Sequence, residues 1–327
     1  MSKTISLGIV SDIHYASAAE QARGQDYEYR TLPNPLLRLL TRLYRHNIWL
    51  RDPFAHNQLL ARFLAQTEGM EYLVANGDYS CNSAFVGISD DAARESVREC
   101  LGKLRQRFGA RLFVTYGDHD LGKMSFVGRR GGMPLASWHR AQQEMGPPFW
   151  QVALGRYVLI GIVSSLVALP IFESDTARAE RQEWQKLRTD HIARIRRAFG
   201  ALKPDQRVLL FCHDPTALPF LWQEPVVRVK LPQVEQTIIG HLHTNLVWGL
   251  SRRLAGMPTI HFLGHNVKKL SRALKQARHW RQFRVRLCPS LAGIELSKGG
   301  GYYTVELDPD IGEPARFKFH RMSRLGE

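Results

Sequence analysis

The sequence contains few cysteines, and none of them are arranged to hold a structural metal or a disulfide framework. It has only four Cys in 327 residues, and no two of them form a CxxC pair. This spacing excludes a zinc ribbon or a disulfide scaffold and is typical of a protein in a reducing cytoplasm. No signal-peptide pattern precedes residues 5–10, which already read as a core strand. We therefore expect a cytoplasmic protein.

Long apolar runs and repeats are also missing. The longest apolar stretch, residues 157–172, is interrupted by Gly161, Ser164, Ser165 and Pro170. It is too short and too broken to span a bilayer, so core structure is the better interpretation. No internal repeat or low-complexity linker divides the chain, and residues 1–327 are predicted to form a single domain.

Acidic residues are scarce relative to basic ones. The chain has 30 Asp and Glu against 45 Lys and Arg, which gives a formal net charge of +15 and a pI near 10.0. Such a charge predicts attraction to a polyanion, whether nucleic acid, anionic lipid or a phosphorylated substrate. A basic surface that only maintains solubility is the alternative, and charge alone does not choose between them.

Five apolar, β-favouring runs share one design, because each ends in a polar cluster. They are residues 5–10, 71–75, 111–115, 207–211 and 236–239. Amphipathic helical patterns lie between them, at residues 59–66, 91–107 and 180–199. This alternation predicts an α/β layered sheet, with the polar clusters gathered at the carboxyl ends of the strands. Shorter β-like runs at residues 259–263, 293–296 and 302–307 would extend the sheet or form a second one.

The polar clusters supply side chains that bind metal ions. Asp12 and His14 are two residues apart at a strand end, so both can point the same way, and Asp78 follows a flexible Gly77. The other strand ends carry Asp118, His119, His213, His241 and His243. A single Asp or His of this kind more often has a structural role. Five strand ends in one chain that each carry such a residue, however, predict a metal site. Oxygen and nitrogen ligands without thiolate indicate Mn²⁺, Zn²⁺, Fe²⁺ or Co²⁺.

The ordered series of motifs resembles the calcineurin-like metallophosphoesterase family. The series is Asp12-x-His14, Gly77-Asp78, Gly117-Asp118-His119-Asp120, His213 and Gly240-His241-x-His243. The resemblance implies a four-layer αββα sandwich with two divalent metal ions. It also implies three roles for the ligands. Asp12, His14 and His243 would bind the first ion, Asp118, His213 and His241 the second, and Asp78 would bridge both.

The chemistry expected of such a centre is phosphoester hydrolysis. Two cations about 4 Å apart lower the pKa of a bridging water, and the resulting hydroxide attacks phosphorus. His119 is expected to stabilise charge on the phosphate or to protonate the leaving oxygen. Asp120 is a candidate to orient His119 through its other ring nitrogen, the alternative being a surface carboxylate at a turn.

Asp118 departs from the family pattern, which usually has Asn at this place. Oxygen ligation is preserved, but the centre carries one positive charge less than the usual pattern would give. We expect tighter metal retention and a weaker Lewis acid.

Two segments bear on the substrate. Residues 16–57 are a predicted insertion or cap. Within it, residues 32–51 combine Leu, Trp and Arg, as in a helix that lies in a membrane interface or as in a cap packed on the body. Residues 267–286 are a predicted basic helical segment, with eight cations and no acidic residue from 268 to 286. This segment suits the phosphates of lipid or nucleic acid, or is a solvated helix face.

Three functions fit these features. The first is a phosphodiester or pyrophosphate hydrolase, peripheral on the inner face of the membrane, with a lipid-linked substrate. Bacterial UDP-diacylglucosamine hydrolases belong to this wider family, although the commoner type has Arg where this chain has His119. The second is a nuclease or nucleotide phosphodiesterase, and the third is a non-catalytic binding scaffold.

Overall fold

The strands form two five-stranded sheets within the described residues. The computed structural model describes residues 4–27, 34–81, 87–123, 132–173, 176–261, 265–297, 299–311 and 313–322. Its strands are β1 Ile5–Val10, β2 Tyr72–Asn76, β3 Leu112–Thr115, β4 Trp150–Leu154, β5 Tyr157–Ile162, β6 Arg207–Cys212, β7 Val234–Ile239, β8 Val285–Leu287, β9 Gly301–Leu307 and β10 Arg316–Arg321. The sheet orders are β10-β9-β1-β2-β3 and β4-β5-β6-β7-β8.

Each sheet combines a parallel core with antiparallel edge strands. In the first sheet β1, β2 and β3 pair in parallel, with Ile9 opposite Val74, while β9 and β10 are antiparallel. In the second sheet β5 to β8 are parallel, and β4 pairs antiparallel to β5. Parallel pairing needs crossover connections, and the intervening helices supply them.

Helices cover the outer face of each sheet. The α-helices are α1 Ala18–Arg23, α2 Pro35–Tyr44, α3 Asn57–Gln66, α4 Asp91–Phe108, α5 Asp118–Leu121, α6 Leu135–Met145, α7 Ser164–Val167, α8 Leu169–Phe172, α9 Arg181–Gly200, α10 Leu218–Gln223, α11 Pro225–Lys230, α12 Asn245–Arg253 and α13 His265–Gln276. A π-helical turn spans Arg45–Trp49, and 3₁₀ turns include Pro53–His56 and Ala277–Phe283.

The alternation of apolar residues along the strands creates the layers. Leu7 on β1 and Leu159 on β5 belong to the cluster between the two sheets, whereas Val158 and Ile160 face the helices, including Ile192. Each fully buried side chain of this kind contributes about 1.5–3 kcal/mol relative to exposure. Two facing sheets with helices outside them confirm the predicted αββα sandwich.

Local signals explain the bounds of α4, which follows β2 in the chain. The Asp90 side chain caps its first turn by accepting from the Ala93 N–H at 3.0 Å. Val97, Leu101 and Leu104 lie on one face and are buried. The helix ends before Gly109, whose φ of 53° is tolerated because it lacks a Cβ.

Most predicted elements are confirmed, with corrections near the C-terminus. The five predicted strands, the three predicted helices and the run at 302–307 are present. Residues 293–296 form no strand, since 293–294 are irregular, with Gly293 at φ 67°, and 295–296 lie in a turn. Residues 259–261 form no strand, and 262–263 lie outside the described residues. The segment predicted as helical at 267–286 is helical to Phe283, after which Val285 and Arg286 begin β8.

The region between β1 and α3 carries an exposed helix. α2 begins at Pro35, which Asn34 caps through bonds to the Leu36 and Leu37 N–H groups, and none of its residues is buried. No helix in the described ranges is both long and apolar enough to cross a membrane.

Candidate metal centre

The polar clusters at the ends of β1, β2 and β7 have an unusual backbone. Five non-glycine residues there have positive φ: Asp12 at 52°, His14 at 51°, Asp78 at 60°, His241 at 56° and His243 at 56°. Asp and His tolerate this left-handed region better than most residues, but each such position still costs about 1–3 kcal/mol. The cost indicates that the surrounding fold holds these side chains in place for a purpose other than stability.

Glycines let the strand ends approach one another. A Cβ on Gly77 would lie 2.6 Å from His213 Nδ1 and 2.7 Å from Gly117 Cα, which is closer than real Cβ atoms come. A Cβ on Gly117 would strike Asp78, and one on Gly240 would strike Ser11. Gly77 and Gly240 therefore permit contact between the two sheets, and Gly117 permits contact between the ends of the neighbouring strands β2 and β3.

The predicted ligands converge in two groups of three. Asp12, His14 and His243 form the first group, with donor atoms all within 4.8 Å of one another and His243 Nε2 3.2 Å from Asp12 Oδ1. Asp118, His213 and His241 form the second group. In it, Asp118 Oδ1 lies 3.1 Å from His213 Nε2 and 2.7 Å from His241 Nδ1.

Asp78 lies between the two groups. Its Oδ2 is 3.1 Å from His213 Nε2 in the second group. Asp12, Asp78 and His213 also bring donor atoms within 4.8 Å of one another, so Asp78 reaches the first group as well. The structure therefore brings together all seven residues that the sequence predicted as metal ligands.

Two imidazoles are held with Nε2 directed at the cluster. His213 Nδ1–H donates to the Asn76 carbonyl at 2.5 Å, and His14 Nδ1–H donates to the Ser80 carbonyl at 3.2 Å. A carbonyl only accepts, so these bonds place a proton on Nδ1 and leave Nε2 as the ring nitrogen that a metal ion can bind. This arrangement is typical of metal-binding His, in which a backbone carbonyl fixes the tautomer and the orientation of the ring.

The donor set fits a divalent metal. Asp12 Oδ1 and His14 Nε2 are buried, and neither makes a hydrogen bond within the described part of the chain. Buried polar atoms normally have partners, because desolvation without one is costly. Acceptor oxygens and nitrogens without thiolate match Mn²⁺, Zn²⁺, Fe²⁺ or Co²⁺.

Burial and mutual charge shift the protonation of the ligands. Burial raises the pKa of Asp12 to about 6 and lowers that of His14 to about 4. Burial also lowers the pKa of His213, but the Asp78 and Asp12 carboxylates outweigh it, so that pKa lies well above its usual value. A cation among these carboxylates is therefore stabilised, and a divalent ion would displace the proton of His213.

His119 and Asp120 follow Asp118 in the short helix α5. The His119 N–H donates to Asp78 Oδ1 at 3.0 Å, and its ring centroid lies 5.4 Å from that of His14. His119 therefore lies beside the first group of candidate ligands and contacts Asp78, which lies between the two groups.

Asp120 corrects both interpretations made from the sequence. It is fully buried, so it is not a surface carboxylate. Its oxygens accept from the N–H groups of Gly117, Asp78 and Tyr79 at 2.8, 3.0 and 3.2 Å, and the predicted bond to His119 is not formed. Burial, with the neighbouring Asp78, raises the pKa of Asp120 to about 7. Asp120 thus links the loop that follows β2 to the loop that follows β3.

Sequence reasoning missed a half-buried cation beside the second group. Lys123 Nζ lies 2.5 Å from Asp214 Oδ2 and 3.6 Å from Asp118 Oδ2. Burial lowers the pKa of Lys123, but the carboxylates of Asp118 and Asp214 raise that pKa by a larger amount, so the ammonium stays charged. Asp214 follows His213 directly, so the sequence could have placed this carboxylate near the site. No sequence pattern around Lys123 indicates that it lies there.

An aromatic side chain covers the first group from the predicted cap. The Trp49 ring centroid lies 4.4 Å from that of His243, and Tyr44 stacks on Trp49 at 6.3 Å. The Trp49 carbonyl accepts from the Glu295 N–H at 2.8 Å. The end of the exposed α2 segment is therefore attached at the edge of the candidate metal centre.

Comparison with known proteins gives only distant structural likenesses. No protein-family model and no curated protein sequence matches the chain. It is similar in structure to the phosphopantetheinyl hydrolase PptH from Mycobacterium tuberculosis, at 16% identity over 74% of this chain and 84% of that chain, with a TM-score of 0.33. It is also similar to GAP50, the anchor in the inner membrane complex of Plasmodium, at 10% identity over 100% and 87% of the two chains, with a TM-score of 0.46.

A third likeness is to the purple acid phosphatase PPD1 from seeds of yellow lupin, Lupinus luteus. The identity is 11%, the coverage is 98% of this chain and 52% of that chain, and the TM-score is 0.45. These TM-scores are low, so the function has to be inferred from the geometry of the centre itself.

Proposed function

We propose that this protein is a calcineurin-like metallophosphoesterase that hydrolyses phosphodiester or pyrophosphate bonds with two divalent metal ions. One observation carries the proposal. Asp78 lies between two complete groups of three ligands, which is the arrangement that a carboxylate shared by two ions requires. A structural zinc site would have four ligands around one ion and no shared carboxylate.

The ligands have distinct roles in this proposal. Asp12, His14 and His243 hold one ion, Asp118, His213 and His241 hold the other, and Asp78 contacts both. The ions, when bound, supply Lewis acidity toward phosphoryl oxygens and lower the pKa of water. The carbonyls of Asn76 and Ser80 keep His213 and His14 in the ligand tautomer.

His119 is the proposed proton donor to the leaving oxygen. Its backbone is fixed by the bond to Asp78 Oδ1, and its ring lies beside His14 at the edge of the cluster. Imidazole is the side chain that can both hold and release a proton near neutral pH, whereas a Lys or Arg in this place would stay charged.

We further propose that the substrate is lipid-linked and that the enzyme binds an anionic membrane surface. Leu36 and Leu40 on α2 are 63% and 53% exposed. The turn that follows α2 carries Trp49, whose ring packs against His243. On α12, which starts two residues after His243, Leu246 and Leu250 are each 57% exposed. Both apolar helices therefore flank the centre, with Arg residues in each to pair with anionic headgroups.

Hydrolysis of a simple diester tests the proposal. The protein, loaded with Mn²⁺ or Zn²⁺, is expected to hydrolyse bis-(p-nitrophenyl) phosphate and to lose this activity in a chelator. Asp78→Asn should abolish turnover, whereas Asp190→Asn on the exposed face of α9 should retain it. Circular dichroism establishes that both variants are folded. If the wild type shows no metal-dependent hydrolysis after loading with Mn²⁺, Zn²⁺, Fe²⁺ or Co²⁺ in turn, the protein is better explained as a non-catalytic scaffold.

A further inference from the structure

A second charged feature lies outside the metal centre. An open cavity of about 450 Å³ is bounded by α13, by the 3₁₀ turn that follows it and by α10. Its cationic and imidazole side chains are His261, Lys268, Arg272, Lys275, Arg278 and His279. Gln223 and Thr259 add neutral hydrogen-bonding groups to the same wall. The cavity therefore presents donors to a ligand that carries several negative charges.

The cations lie on one face of α13. Lys268, Arg272 and Lys275 are spaced four and three residues apart, so their side chains are neighbours on the helix surface. Like charges at these spacings destabilise a helix, and Lys268 stands near the positive end of the helix dipole. Helix stability therefore does not explain this arrangement, whereas an anion among the three would relieve the repulsion.

The described residues give these cations no acidic partner. No acidic side chain lines the cavity within the described ranges, and no ion pair found there includes Lys268, Arg272 or Lys275. The surface basic residues elsewhere often do have partners, as Arg196 has in Glu224 at 2.5 Å. The cavity therefore gathers several positive charges with no acidic side chain among its described lining residues.

The helix that carries the cavity also approaches the metal centre. Lys269 Nζ on α13 lies 5.7 Å from the centroid of the Phe172 ring, and Lys123 Nζ lies 4.4 Å from the same centroid. Lys123 in turn is 3.6 Å from Asp118 in the second ligand group. One aromatic ring therefore separates the basic helix from the cation beside the centre.

We propose that this cavity binds a compound with two or more clustered phosphate groups. Arg272 and Arg278 would form bidentate bonds to phosphate oxygens, and Lys268 and Lys275 would act as point charges beside them. The compound would be a substrate whose phosphates away from the cleaved bond lie in the cavity. This assignment rests on the proposed function. The phosphate groups belong either to a soluble nucleoside diphosphate or to a lipid headgroup.

Calorimetric titration of inorganic pyrophosphate into the full chain tests the cavity. Buffer without divalent metals keeps pyrophosphate from binding through the centre. The wild type should bind, and Arg272→Gln/Arg278→Gln should bind at least about tenfold more weakly, since two charge-assisted bonds are lost. The matched control, Arg194→Gln/Arg197→Gln, removes two exposed Arg from α9 and should bind like the wild type. No wild-type binding, or equal losses in both double variants, would overturn the proposal.

The same pair of variants identifies the source of the phosphates. ADP and cardiolipin-containing vesicles, which both carry two phosphate groups per ligand molecule, are titrated separately. The ligand that loses affinity only in Arg272→Gln/Arg278→Gln is the one that uses the cavity. If neither shows this selective loss, neither source of phosphates occupies the cavity, and the assignment of its ligand is overturned. Hydrolysis of bis-(p-nitrophenyl) phosphate by the wild type is measured independently, so failure of the enzyme and failure of the cavity are separate results.

Discussion

Lys123 Nζ lies 3.6 Å from Asp118 Oδ2, so a half-buried cation lies beside the carboxylate that stands where the resembled family usually has Asn. The same ammonium lies closer to Asp214, at 2.5 Å. Because Asp214 already balances Lys123, the ammonium only partly offsets Asp118. The second ligand group therefore keeps an additional negative charge, which favours binding of a cation.

Replacement of Asp118 by Asn should weaken metal binding. The amide oxygen can still act as a ligand, but the loss of its charge should raise the dissociation constant about tenfold, which corresponds to about 1.4 kcal/mol. Turnover at saturating metal should rise, because a more positive centre is a stronger Lewis acid. Competition with a fluorescent chelator measures the affinity, with Asp190→Asn as control. Unchanged affinity and turnover would refute the assigned role of the charge.

His119→Gln should slow hydrolysis without removing the ions. The expected loss in kcat is about a hundredfold for a diester with a poor leaving group, because a general acid contributes about 10²–10⁴-fold. For p-nitrophenolate, which leaves without protonation, the loss should be much smaller. Metal content by elemental analysis should match the wild type. Equal losses for both leaving groups would assign His119 to phosphate binding instead.

Vesicle flotation tests the exposed face of α2. Leu36→Ser/Leu40→Ser should reduce binding to anionic vesicles by about tenfold or more, since two apolar side chains no longer enter the interface. The control is Val226→Ser/Val229→Ser, because Val229 is 74% exposed on α11, away from α2. Binding that is equal in both variants, or that vanishes in moderate salt alone, would contradict an apolar insertion.

His191 should make the fold sensitive to acid. It is buried on α9, where Nε2 accepts from the Val163 N–H at 3.1 Å, and burial with Arg194 lowers its pKa to about 3. Below the unfolded pKa near 6.5 the unfolded chain binds a proton that the native state excludes, so stability falls as the pH drops. Between about pH 6.5 and about pH 5 this site should cost about 2 kcal/mol.

Urea unfolding of the wild type and of His191→Gln at the two pH values isolates that contribution. The loss of stability on acidification should be smaller in the variant by about the stated amount, because Gln does not titrate. The other buried histidines are common to both proteins and cancel in the comparison. An identical pH dependence in the two proteins would show that His191 is protonated in the native state.

The convergence of the seven candidate ligands was predictable from the sequence because its signals are local. Each ligand lies within a few residues of the end of an apolar strand, and parallel strands place such ends at one edge. Gly77 and Gly240 added a second local signal. For the same reason the five strands that carry polar clusters were recognised, while the edge strands β8 and β10, with weak apolar patterns, were missed.

Other features depended on contacts between distant parts of the chain. Lys123 meets Asp214 only when α5 packs beside the end of β6, and Trp49 meets His243 only when the region before α3 folds back. Asp120 looked like a partner for His119 because the two are adjacent, but the backbone N–H groups of two loops were better partners. Neither propensity nor spacing encodes such arrangements.

The metal content of the protein tests the central claim most directly. After reconstitution with Mn²⁺ or Zn²⁺ and removal of free ions, elemental analysis should give two ions per chain, and anomalous scattering should place one in each ligand group with Asp78 between them. Asp78→Asn should lower the occupancy of both sites, because both share this carboxylate. A reconstituted protein with no ion in either group would contradict the proposed mechanism, whatever the fold.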